Sequence, residues 1–75
     1  MKADKTLDCI GLFCPMPIVK TRLELETMKP GEALEIIADD AGFEGDLTAW
    51  CDLSGEKFLG ILKENNITKG YVMKK

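Results

Sequence analysis

The 75-residue sequence contains no histidine. That removes Cys-His and Ser-His-Asp catalytic pairs and the commonest metal ligand, so a nucleophile here must be a cysteine helped by lysine or arginine. Cysteine is itself sparse. Cys9, Cys14 and Cys51 are odd in number and fit no common zinc spacing, and a disulfide framework is not expected in a reducing compartment. A basic cluster is also missing: 10 Lys and Arg residues stand against 13 Asp and Glu, for a net charge of −3, which argues against nucleic acid as a direct ligand. No apolar run approaches the roughly 20 residues that span a bilayer, and the opening MKADKTLD lacks the apolar middle of a signal peptide. A cytoplasmic protein with no membrane partner is expected.

What is present suits a folded chain. Hydrophobic residues make up 45% and charged residues 31%, too apolar for disorder. At this length the apolar residues cannot supply two cores, so residues 1–75 are expected to form one thin domain, acting as a monomer. There is little room for an enclosed cleft, and neither a metal nor an organic cofactor is expected.

Lys5 to Cys9 (KTLDC) alternates as a strand and meets a turn at Gly11. A helix is expected from Pro15 to Met28, stopped by Pro30 and Gly31, and a second strand over Glu32 to Asp39 with Leu34, Ile36 and Ala38 on one face. A shorter helix should open at about Gly45 or Asp46, with Asp46 as N-cap, bury Leu47, Trp50 and Cys51, and stop at Gly55. The segments EKFLGILKE and TKGYVMKK, joined at Asn65 and Asn66, complete a hairpin. The order βαβαββ predicts a two-layer α/β sandwich, with two helices on one face of a four-stranded mixed sheet.

The segment LDCIGLFCPMPIVK carries the chemistry. Pro15 suits the first helical position, where its missing N–H is no loss, which makes Cys14 the expected N-cap. Free backbone N–H groups and the positive helix end favour an anion there. The effect is about 0.3–1 kcal/mol, at most about 2, and lowers a thiol pKa of about 8.5 by roughly 0.2 to 1.5 units. Lys20 and Arg22 would add to it if they fold back, and Asp8 would oppose it. The plain reading makes Cys14 a small apolar residue and both prolines, Pro15 and Pro17, simple punctuation.

The same segment resembles the signature of the TusA-like (SirA-like) sulfur carrier family, a Leu-Asp…Gly-Leu-x-Cys-Pro-x-Pro stretch leading into the first helix. The likeness continues through KPGEALEIIADD, Asp46, Trp50-Cys51 and the terminal lysines. It implies a βαβαββ protein carrying sulfur as a persulfide on Cys14, between a cysteine desulfurase or rhodanese-type donor and an acceptor protein. Pathways served by relatives include tRNA thiolation, molybdenum cofactor synthesis and sulfur oxidation. The chain departs from the pattern at Asp46-Leu47-Thr48, where the family often has Asp-Ile-Pro, and at Gly55-Glu56, where it often has Gly-His. Both departures lie outside the Cys-Pro-x-Pro core.

Cys9 is a candidate resolving thiol, although a buried packing role is the favoured reading, and Cys51 reads as core. On the first helix Ile18, Thr21, Leu25 and Met28 share one face, while Met16, Val19 and Leu23 form a second apolar stripe, a candidate docking surface. Asp39-Asp40 reads as a solvated turn with no catalytic role. The rival to the carrier is a regulatory or interaction module with a redox-sensitive Cys14. RNA binding draws only on a likeness of fold to a translation initiation factor domain, against the acidic charge.

Overall fold

The structure, a computed structural model, describes residues 3–13 and 15–75, so expectations for Cys14 itself lie outside the described residues. Among those residues the elements are β1 (Lys5–Cys9), α1 (Met16–Glu26), β2 (Ala33–Ala38), α2 (Phe43–Ser54), β3 (Lys57–Glu64) and β4 (Ile67–Met73). The strands lie in the order β1-β2-β4-β3, with β1 parallel to β2 and the other pairs antiparallel. This is the expected mixed sheet with two helices. The parallel pair needs a long crossover, which α1 supplies, and the β3–β4 pair needs only a tight turn. Asn65 and Asn66 provide that turn with φ of 46° and 70°, the two left-handed residues of a type I′ hairpin.

The alternation read from β2 holds. Leu34, Ile36 and Ala38 are buried and join Val72 of β4, Leu25 of α1, Met28 beyond its end, and Phe43, Leu47 and Cys51 of α2 in one core. Thr21 is the buried polar residue of α1, and its hydroxyl donates to the Pro17 carbonyl at 2.7 Å, so its burial leaves nothing unpaired. On the sheet face away from the core, Glu35 of β2 accepts from the Tyr71 hydroxyl of β4 at 2.6 Å and from the Thr6 hydroxyl of β1 at 3.1 Å. Three strands are thereby tied by one carboxylate.

Two helix starts differ from expectation. Helix α2 begins at Phe43 with Gly42 at the cap, and Asp46 lies inside its first turn, its N–H bonded to the Gly42 carbonyl at 3.0 Å. The cause is Phe43, which stands one turn before Leu47 on the same stripe and is buried with it. Burying such a side chain is worth about 1.5–3 kcal/mol, more than the roughly 1 kcal/mol of an Asp cap. The helix stops as expected at Gly55, whose φ of +84° and N–H bond to the Cys51 carbonyl at 2.9 Å form a left-handed cap. Helix α1 begins at Met16 with Pro15 at the N-cap position, one residue later than read, so Cys14 stands before the cap and Pro17 falls in the first turn.

Candidate functional site

Strand β1 delivers its chain at Cys9 into a short loop that reaches α1 at Met16. Each step of its first half is bonded. The Ile10 N–H donates to Asp8 Oδ1 at 2.9 Å, the Gly11 N–H to Asp39 Oδ1 at 3.0 Å, and the Leu12 N–H to the Cys9 carbonyl at 3.2 Å. Gly11 has φ +83°, a conformation costly to a residue with a Cβ, and its N–H reaches across to Asp39 just past the end of β2. Beyond Leu12, the Met16 N–H donates to the Phe13 carbonyl at 2.8 Å, and the Pro15 carbonyl accepts from the Ile18 and Val19 N–H groups at 3.1 and 3.0 Å. Both sequence neighbours of Cys14 are exposed: Pro15 is open, and Phe13 stands 74% accessible.

The electrostatics at the head of α1 favour an anion. No acidic residue lies in its first turn, so the positive helix end is not neutralised by a neighbouring carboxylate in that turn. Lys20 is exposed in the second turn, and its charge reaches Cys9.

The two described thiols are of another kind. Cys9 is fully buried, and burial raises its pKa, with Lys20 opposing that rise and Asp8 adding to it. Cys51 is pushed up to about 11, first by burial and then by the charges of Glu56 and Asp52. Both are free and held as thiols in the core.

Of the second stripe on α1, Met16 is 43% exposed, Leu23 is 50% exposed and Val19 is half-buried. At about 100° per residue these three lie opposite Thr21 and Leu25, the residues that face the sheet. Phe13 and Ile10 of the loop are exposed as well, so apolar side chains flank the Cys-Pro-x-Pro segment in sequence on both sides. A separate open groove beside the β3–β4 turn is lined by charged and amide groups including Asp40, Glu44, Lys63 and Asn66. Glu44 and Lys63 pair there at 2.6 Å. Among the described residues no group of three His, Cys, Asp or Glu side chains is placed to hold a metal.

Asp39 is the residue that sequence reading missed. It was legible only as half of an acidic turn, since its bond to Gly11 spans 28 positions and depends on the pairing of β1 with β2.

Comparison with known proteins agrees with this arrangement. The family model described as "Sulfurtransferase TusA" matches residues 5–74. The chain is 46% identical over 74 residues to a Bacillus subtilis protein named "Putative sulfur carrier protein YrkF", covering 99% of this chain and 40% of that protein. It is 43% identical to the similarly named YrkI of the same organism, covering 99% of both chains. A sulfur carrier homologue named in the same way in Aquifex aeolicus is 40% identical, and the chain spans 38% of its length. Two of these three relatives are therefore much longer than the matched segment. The fold matches that of a SirA-like protein from Desulfitobacterium hafniense with a TM-score of 0.80, over 92% of this chain and 95% of the other, at 21% identity. With one family model running almost from end to end and relatives named for sulfur carriage, this chain belongs to the TusA sulfurtransferase family.

Proposed function

We propose that this chain carries sulfane sulfur as a persulfide on Cys14, taking it from a donor protein and passing it to an acceptor protein. The observation that carries the reading is the division among its thiols. Cys9 and Cys51 are buried with raised pKa values, whereas Cys14 falls between two exposed residues, next to a helix start that no first-turn acid neutralises.

The transfer needs no cofactor. The Cys14 thiolate attacks the outer sulfur of a donor cysteine persulfide, a new S–S bond forms as the donor's own S–S bond breaks, and the donor cysteine leaves as thiolate. The outer sulfur keeps its proton, and the exchange as a whole is redox neutral. Delivery to the acceptor repeats the step in the other direction. Pro15 and Pro17 restrict the backbone that follows the thiol, and Lys20 is the first positively charged residue along α1. Cys9 is read as packing and not as a resolving thiol.

The donor is a cysteine desulfurase or a rhodanese-type protein. The acceptor belongs to a sulfur-consuming route such as tRNA thiolation, molybdenum cofactor synthesis or sulfur oxidation. Residues 1–75 form the carrier domain, working as a monomer in the cytoplasm, where thiols stay reduced.

Intact mass after incubation with a cysteine desulfurase and cysteine, and separately with a rhodanese-type protein and thiosulfate, tests this. Wild type should gain one sulfur atom, Cys14→Ser none, and Cys9→Ser and Cys51→Ser should behave as wild type. Equal gain by Cys14→Ser would overturn the assignment. No gain by wild type from either donor type would favour the regulatory module.

A further inference from the structure

The loop that carries Cys14 is fastened at its start by two carboxylates from different strands' ends. Asp8 binds the Ile10 N–H within the same turn, but Asp39 reaches the Gly11 N–H from the exit of β2, at 3.0 Å. The parallel register sets Cys9 opposite Ala38, so Asp39 is the first residue of its strand beyond the last pair of the ladder, and Gly11 lies past the same end, two residues beyond Cys9. The Gly11 N–H meets that carboxylate, and its φ of +83° sets the turn of the chain that follows. Nothing lies within 4 Å of where a Gly11 Cβ would be, so the glycine is required by backbone conformation and not by crowding. Both Gly11 and Asp39 are exposed, so the bond contributes little to the core and acts mainly on the path of the loop.

We propose that Asp39 is a positioning residue for sulfur transfer: by accepting the Gly11 N–H it fixes the loop between β1 and α1, and so sets the direction in which the motif thiol is offered to a protein partner. The proposal rests on Cys14 being the carrier thiol. Asp39 touches no reacting atom in this scheme. A small reagent can find a thiol on a loop of any path, whereas a donor that brings its own persulfide on a surface needs the loop in one place, and misplacement of about 1 Å can cost up to about a hundredfold in rate.

The experiment compares Asp39→Ala with Asp39→Asn in the full chain. Asparagine keeps an acceptor oxygen and loses the charge; alanine loses both. Three quantities are read: hydrogen exchange of the Gly11 amide by NMR, alkylation of Cys14 by iodoacetamide, and the rate of sulfur uptake from a cysteine desulfurase. For Asp39→Ala the Gly11 amide should exchange at least about tenfold faster than in wild type. Sulfur uptake should fall by about ten- to a hundredfold, while alkylation stays within about twofold. Asp39→Asn should restore most of both losses. Unchanged Gly11 exchange in Asp39→Ala would overturn the latch. Uptake falling equally in both variants would overturn it too, because the charge itself would then be the partner's contact. If wild type takes up no sulfur from the desulfurase or from a rhodanese-type donor, the carrier reading fails, and the Gly11 exchange of the two variants still decides whether Asp39 holds the loop.

Discussion

Gly70 of β4 lies directly beneath Leu47 of α2: a Cβ placed on the glycine would stand 2.5 Å from Leu47 Cδ2, with the Phe43 ring at 3.2 and 3.3 Å. The second helix sits this close to the sheet because Gly70 lacks a side chain. Leu47 and Phe43 are both buried, so neither has open space to move into. Gly70→Ala should therefore destabilise the fold by about 1–3 kcal/mol, as overpacking does. Urea unfolding followed by the single tryptophan, Trp50, measures it. A midpoint equal to that of wild type would mean that α2 rides up without cost.

The single tyrosine gives a second prediction. The bond from Tyr71 to Glu35 is the main cause that raises its pKa, followed by burial and the charges of Glu35 and Glu64. The folded chain thus keeps the phenol proton after an unfolded tyrosine has released it at about pH 10. This contribution to stability is whole below about pH 10 and is lost as pH rises through the folded-state value. Cys9 and Cys51 act in the same sense from a lower starting point, with the Cys51 part lost on approaching about 11. Stability should fall on the alkaline side, and Tyr71→Phe should flatten the upper part of that fall. Tyrosinate absorbance in native protein should have its midpoint above about 10, and Glu35→Gln should lower it. A wild-type midpoint at or below about 10 would contradict the Tyr71–Glu35 bond in solution.

A third prediction concerns the outward stripe of α1. Replacing Val19 and Leu23 together with Asp should slow sulfur transfer from a protein donor by about tenfold or more, the cost of spoiling an apolar contact by 1.4 kcal/mol or above. Alkylation of Cys14 by iodoacetamide should be unchanged, since it needs no docking surface. Leu23 is exposed and Val19 half-buried, so the fold should survive, and circular dichroism would confirm it. Loss of both rates together with folded structure would place the stripe in the core, and no change in either would send the partner to another side.

Local chemistry made most of the fold readable. Strand β1 falls on Lys5 to Cys9 as its alternation indicates, and Asn65-Asn66 turns the hairpin because both residues tolerate a left-handed backbone. The start of α2 was misread because Asp46 offers a good cap, yet the apolar spacing of Phe43, Leu47 and Cys51 already held the answer. The head of α1 came out one residue late for a similar reason, as Pro15 can stand at the cap as well as inside it. The Asp39–Gly11 bond was out of reach: no local pattern states which residue of β2 faces the end of β1. The stripe of Met16, Val19 and Leu23 was visible, and the structure adds that Met16 and Leu23 stand open.

The strand order has a consequence for how the chain is born. Strand β4, the last in sequence, lies between β2 and β3 and pairs with both, so it joins Ala33 to Met73 and Lys57 to Met73. A nascent chain on the ribosome can form β1, α1 and β2 early, but β2 then presents an unpaired edge, and Val72 is missing from the core that Leu34 and Ile36 join. Residues 67–73 must clear the exit tunnel before the sheet can close. The decisive step of folding should therefore wait for β4, and a ribosome stalled before Ile67 has emerged should display a protease-sensitive, chaperone-binding chain.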